Sequence, residues 1–189
     1  MGELDKKEKQ ISQKIKQLLT DLNSGEDTKI LSALKSLQVN GNVTVLRPLV
    51  ELLKSELSHK VKSEVFDFLG DLKAINTVAE IISIVKDENF LEQRQEVLST
   101  IWNSTLDYSG FIAEFVEIAC DGSFMESLEC LTILENLEGP FEERHILECH
   151  LHLKEYIEDT STVRDPKKAE IMSEIAILIK DFDLNTEED

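Results

Sequence analysis

Apolar residues recur along this chain at intervals of three and four, and the pattern persists from one end to the other. Leu4, Ile11, Ile15, Leu18, Leu19 and Leu22 share one face of a 3.6-residue helix, with Lys6, Lys7, Lys9, Lys14 and Lys16 largely on the other. The same period predicts helices over Thr28–Val39, Val43–Glu56, Ser58–Leu72, Ile75–Lys86, Leu91–Thr105, Ser109–Cys120, Phe124–Leu137, Phe141–Glu158 and Pro166–Phe182. Each has the usual globular length of about 8–20 residues. The breaks carry turn chemistry: Asn23-Ser24-Gly25, Asn40-Gly41-Asn42, Gly110, Asp121-Gly122-Ser123, Gly139-Pro140 and Asp165-Pro166. No run alternates with period two long enough to make a strand, so the predicted fold is all-α.

The helices also repeat. Ala33–Glu56 lies over Val65–Glu88 at an offset of 32 without a gap, matching Leu34 with Phe66, Leu37 with Leu69, Leu46 with Val78, Leu49 with Ile81, Val50 with Ile82 and Leu53 with Val85. A third copy sets Leu98 and Ile101 under Phe66 and Leu69 at offset 32, then Phe111, Phe115 and Ile118 under Val78, Ile82 and Val85 at 33. Leu131, Leu134 and Leu137 begin a fourth. Two short antiparallel helices cannot bury their apolar faces alone, so such copies are expected to stack into a solenoid.

One copy, His59–Asn89, resembles a HEAT repeat of the short bacterial kind. Val61-Lys62 matches the pair that opens that family's first helix, Leu69-Gly70-Asp71-Leu72 its turn, and Lys86-Asp87-Glu88-Asn89 its closing turn. The resemblance implies a right-handed α-solenoid of about four to five antiparallel helix pairs in one domain. Its repeats would occupy 27–57, 58–88, 89–121 and 122–160, between an N-terminal capping helix at 1–23 and a C-terminal one at 165–183, with 184–189 a frayed acidic tail. Such a scaffold carries many functions, so the resemblance speaks for architecture more than activity.

Charge narrows the choice. The chain has 189 residues, 20 basic and 38 acidic, for a formal net charge of −18. From Met1 to Leu106 the balance is 14 basic to 16 acidic, whereas Asp107–Asp189 has 6 against 22. A phosphate backbone or an anionic membrane would repel that second half, so neither nucleic acid nor membrane is an expected partner. MGELDKKEKQ opens no signal-peptide pattern, no apolar run reaches membrane-spanning length, and Lys6 departs from the myristoylation pattern. Cys120, Cys130 and Cys149 are odd in number and lack C-x-x-C spacing. A cytoplasmic protein, monomeric or weakly homodimeric, is expected.

Signatures of nucleotide binding, zinc proteolysis, serine hydrolysis, phosphoryl transfer or EF-hand calcium are absent. The expected protein is therefore no enzyme and carries no cofactor. His145, Cys149 and His152, at i, i+4 and i+7 with Glu148 adjoining, could present a metal with nitrogen and sulfur donors. The competing reading, and the expected one, has Ile146, Cys149, His150 and Leu153 as a packed stripe. Trp102 and Tyr108 could wall a pocket, but core packing is expected.

By the HEAT resemblance, the second helix of each pair lines a concave groove. With Leu46, Leu49, Val50 and Leu53 inward, Arg47, Glu51 and Lys54 face out, followed by Glu80 and Ser83, Glu114 and Glu117, then Glu148 and Glu155. Glu51, Glu80, Ser83, Glu114, Glu117 and Glu148 are the candidate partner-binding residues, with an ordinary solvated face as the alternative. The expected function is a non-enzymatic scaffold or adaptor binding a basic peptide or protein. Two enzyme classes on similar scaffolds are the alternative: glycosylases of alkylated DNA, disfavoured by charge, and bilin lyases, which charge does not exclude. A third possibility is that the N-terminal helix engages the partner or a second copy.

Overall fold

The structure, a computed structural model, describes residues 2–160 and 165–186, with the side chains of 10–39, 41–160 and 165–184. The three-and-four periodicity forms helices α1 (Gly2–Leu22), α2 (Asp27–Asn40), α3 (Leu46–Leu52), α4 (His59–Gly70), α5 (Val78–Val85), α6 (Leu91–Leu98), α7 (Ile112–Asp121), α8 (Phe124–Glu135), α9 (Glu143–Glu158) and α10 (Pro166–Thr186). Among the described residues there is no strand, and no helix is long and apolar enough to cross a membrane. Tight 3-10 turns at Val43–Val45, Ile75–Thr77 and Ser109–Phe111 lead into α3, α5 and α7. The first is capped by Asn42, whose side chain accepts from the Thr44 amide at 3.0 Å. After α1, Gly25 takes φ +70°, a left-handed conformation that glycine adopts without steric cost.

Several boundaries differ from expectation, among them the end of α3 at Leu52 rather than Glu56. The helix expected to reach Thr105 stops at Leu98. There the Ser99 and Thr100 hydroxyls donate to the Glu96 and Val97 carbonyls, each at 2.7 Å, and draw the chain into turns. Helix α9 starts at Glu143 rather than Phe141, after a cis Gly139–Pro140 peptide. Helix α10 continues through Thr186, where a frayed tail was expected; 187–189 lie outside the described residues.

The chain forms two compact units, Met1–Leu72 and Lys73–Asp189, whose boundary falls inside the helix pair expected at 58–88. In the first, α1 lies along α2 and touches α3, and α2 packs on α4. In the second, α6 packs on α8, α8 on α10 and α7 on α9, while α5–α6, α7–α8 and α9–α10 join helices adjacent in sequence.

Burial repeats with the sequence. Leu46, Leu49, Val50 and Leu53 are buried, as are Val78, Ile81, Ile82 and Val85, then Ile112, Phe115, Val116 and Ala119. The step is 32 and then 34, which corrects the expected 33: Phe111 is half-buried in the preceding turn and Ile112 takes the core position. Two extra residues between α6 and α7 account for the shift. A further step of 34 reaches Ile146, Cys149, His150 and Leu153 on α9; all but His150 are buried, and that imidazole instead lies 3.6 Å from the Asp183 carboxylate. Trp102 is also corrected: it is 44% exposed in the turns after α6, whereas Tyr108 is buried edge-on to Phe115 at 6.2 Å. Ile11, expected on the apolar face of α1, is 45% exposed; Leu4, Lys6, Lys7 and Lys9 lie outside the described side chains.

Candidate binding cleft

An α-helix ends with carbonyls that lack intrahelical partners, and α7 satisfies them with groups from three places. The Ile118 carbonyl accepts from the Gly122 amide at 2.8 Å, and the Ala119 carbonyl from the Ser127 hydroxyl at 2.8 Å. Lys168, from the first turn of α10, donates its Nζ to the Cys120 and Gly122 carbonyls, both at 2.6 Å. The turn is close enough to demand glycine: a Cβ at Gly122 would lie 2.7 Å from the Ile118 oxygen and 2.9 Å from Glu126 Oε2.

Helix α8 begins with a capping box. Ser123 Oγ accepts from the Glu126 amide at 3.3 Å, and Glu126 Oε2 accepts from the Ser123 amide at 2.6 Å. The other carboxylate oxygen of Glu126 accepts from Arg94 Nε of α6 at 2.5 Å, with both side chains nearly buried. Glu126 and Gln93 are both buried, and the bond that joins α6 to α8 runs between Arg94 and Glu126. Burial alone would raise the Glu126 pKa; the Arg94 hydrogen bond and those from Ser123 outweigh it and hold the carboxyl below its usual range.

Beside this turn lies a cleft of about 750 Å³. Glu117, Cys120 and Asp121 of α7 form one wall with Gly122, Ser123 and Phe124; His152, Glu155 and Tyr156 of α9, with Asp159 just after it, form another, and Asp165 and Lys168 close it at the start of α10. The Lys168 ammonium sits 5.3 Å from the centre of the Tyr156 ring, and burial lowers its pKa. Burial, then the neighbouring Asp121 carboxylate, push the Cys120 thiol up to about 12, and the thiol donates to the His152 carbonyl at 3.6 Å.

The expected carboxylate row divides between the units. Glu51 is exposed on α3 and pairs with Lys54 at 2.8 Å within the first unit. In the second, Glu80 and Glu114 are half-buried and Glu148 is exposed, at equivalent positions of α5, α7 and α9 spaced by 34. Glu114 and Glu148 both act on Cys149, whose thiol is pushed up to about 12 by burial first and by these carboxylates next. Ser83 is exposed on α5; its equivalent on α7, Glu117, pairs with Lys86 at 2.6 Å. The next step in that row is Leu151, which breaks the ladder. Glu155 is exposed and lines the cleft. His145, Cys149 and His152 form no metal-holding group, and no set of three or more His, Cys, Asp or Glu does so among the described residues.

Sequence reading passed over Asp121, Phe124, Tyr156, Asp159 and Lys168, which reach one cleft from four helices and the residue that follows α9. A signal was present: Asp121 closes α7, and Glu155, Glu158 and Asp159 crowd the end of α9, although helix C-termini favour cations. The chain matches no family model, no curated protein and no solved structure.

Proposed function

We propose that this chain is a HEAT-like stack of helix pairs acting as a non-enzymatic scaffold, and that the carboxylates of α5, α7 and α9 dock a basic peptide or protein segment. Support for the stack comes from packing between alternate helices, α2 on α4 in the first unit and α6–α8–α10 with α7–α9 in the second. The recurrence of buried positions at steps of 32, 34 and 34 supports it further. The observation that carries the docking reading is the placement of Glu80, Glu114 and Glu148 at one register position of three successive second helices, each reachable by solvent.

A solubilising surface needs only modest net charge of mixed sign. The half-chain that holds two of these three carboxylates has 22 acidic residues against 6 basic ones, enough to steer a cationic partner at long range. Affinity would then rest on apolar and shaped contacts, and the association rate on the field. The test is stopped-flow association of a fluorescein-labelled arginine-glycine peptide with the wild-type chain and with Glu80→Gln/Glu114→Gln/Glu148→Gln. The expected rate falls roughly tenfold or more between low and physiological salt, and falls again in the variant at low salt. A rate indifferent to both would reduce the row to solvation.

A further inference from the structure

Helix α9 covers one side of α7, while the corresponding side of α9 is open to solvent. Ala113, Val116 and Cys120 stand three and four residues apart on one face of α7. The Cys120 thiol reaches the His152 carbonyl of α9, and Ala113 and Val116 are buried, so this is the face that α9 packs against. The step of 34 that relates the buried residues of the two helices carries this face to Leu147, His150 and Lys154 of α9, with Leu151 beside them where α7 has Glu117. There Leu147 is 56% exposed and Leu151 59%. The outermost helix of a stack is expected to turn a polar face outward. Helix α9 departs from that rule where earlier helices carry small or polar residues: Leu147 follows Ala79 and Ala113, and Leu151 follows Ser83 and Glu117. Two leucines one turn apart, each more than half exposed, add little to the core and make an apolar stripe suited to contact with another surface.

The edge of the stripe indicates what fits it. Glu148 and Glu155, two turns apart, run along one side, both exposed and neither in an ion pair among the described residues. The cations of α9 are already engaged: Arg144 pairs with Glu142 at 2.8 Å and Lys154 with Glu158 at 3.8 Å. A second copy would bring the same carboxylates to this face from a chain of net charge −18, so charge opposes self-association there. A helix that carries basic residues beside an apolar stripe of its own complements both features.

We propose that the face of α9 bearing Leu147 and Leu151 seats one amphipathic helix of a partner protein, in the place that a further helix of the stack would take. The partner's apolar residues lie on the two leucines and its Lys or Arg residues against Glu148 and Glu155. The inference rests on the reading of Glu80, Glu114 and Glu148 as a docking face, and it names the docked segment as a helix. It adds to long-range steering an apolar contact that slows dissociation.

The test uses the full chain and fluorescence anisotropy of a labelled 16-residue peptide, the length of α9, built of Leu, Ala and Lys with its leucines on one helical face. A peptide of the same composition in scrambled order carries the same charge without the stripe. Leu147→Ser/Leu151→Ser alters the face, while Val39→Ser/Ile75→Ser removes two apolar side chains that are more exposed still, on other elements. Circular dichroism checks that both variants retain their helices and that the striped peptide gains helix on binding. The striped peptide is expected to lose roughly tenfold or more in affinity for Leu147→Ser/Leu151→Ser and to change under about twofold for Val39→Ser/Ile75→Ser. The scrambled peptide should bind wild type roughly tenfold more weakly, and Glu148→Gln/Glu155→Gln should slow association of the striped peptide at low salt. Equal losses in the two serine variants, or equal binding of the two peptides, would overturn the helix seat. If both peptides bind alike and both weaken in Glu80→Gln/Glu114→Gln/Glu148→Gln, the docking face stands without the seat. No binding of either peptide or of the arginine-glycine peptide at low salt would overturn both readings. A wild-type chain that sediments as a dimer, with Leu147→Ser/Leu151→Ser a monomer, would give the face to a second copy and overturn the partner assignment.

Discussion

Neutralising Glu126 tests the link between α6 and α8 on which the cleft's α7–α8 turn depends. In Glu126→Gln the shape of the side chain survives, but Arg94 is left with its charge in a site where its side chain is 13% exposed and that of Glu126 10%. Removing one partner of a buried pair costs about 3–5 kcal/mol, because the other charge remains desolvated without compensation. Glutamine keeps a neutral acceptor for the Ser123 amide, which places the expected loss at the lower end, about 3 kcal/mol. A chain of this size then melts roughly 6–12 °C lower. Ser123→Ala, which removes only the hydroxyl half of the capping box, should cost about 1 kcal/mol.

The assay is urea unfolding followed by circular dichroism, run on wild type, Arg94→Gln, Glu126→Gln and the double variant. Losses in the two single variants should exceed the loss in the double by about 2 kcal/mol, since the double leaves no buried charge unpaired. Acidification supplies an independent check. The folded carboxyl titrates below its unfolded value of about 4.5, so its contribution is complete above that pH and disappears as pH falls through the lower, folded pKa. Glutamine does not titrate, so the gap between wild type and Glu126→Gln should close on that acidic side. Additive single losses, a Glu126→Gln cost under about 1 kcal/mol as for a surface pair, or a gap unchanged by acid would each refute the reasoning.

Gly122→Ala should cost about 1–3 kcal/mol in thermal or urea unfolding, because its Cβ would meet the Ile118 oxygen at 2.7 Å; Gly110→Ala, with nothing within 4 Å, should stay within about 0.5 kcal/mol. Lys168→Met strands the Cys120 and Gly122 carbonyls that the ammonium now bridges and should cost about 1–3 kcal/mol, measured the same way; a neutral result would mean that water replaces the lysine without loss. At pH 8 the native thiols of Cys120 and Cys149, pushed to about 12, should react with a disulfide reagent roughly a thousandfold more slowly than in the unfolded chain, whereas rapid titration of either in native buffer would contradict their burial.

How much of this was legible beforehand depended on how local each cause is. The helices and the spacing of their buried residues are local, repeated facts, so Leu46, Val78 and their neighbours could be placed from periodicity alone. The register failed where a loop changed length: two residues inserted between α6 and α7 moved the core position from Phe111 to Ile112, and no apolar pattern inside a loop announces that. Ser99 and Thr100 ended α6 through hydroxyl bonds to their own carbonyls, which is readable in principle but competes with the apolar run through Ile101. With the helix ended there, Trp102 left the face it would have shared with the core and became exposed.

The cleft was hidden for a different reason. Lys168 reaches the α7 carbonyls across more than forty residues of sequence, and Arg94 reaches Glu126 across 32, so neither pairing leaves a mark in any helical window. What did leave a mark was discord. Asp121, Glu155 and Asp159 are poor choices for the ends of α7 and α9 taken singly, and a reading that sums charge along a half-chain absorbs them into the total. Examined helix by helix, the same carboxylates separate into those that follow the repeat, Glu80, Glu114 and Glu148, and those that violate capping preference at one end of the second unit. The first group has a register that a solvated surface also permits. The second opposes the dipoles of both helices it terminates, and at the end of α7 the positive charge comes instead from Lys168, brought in from α10.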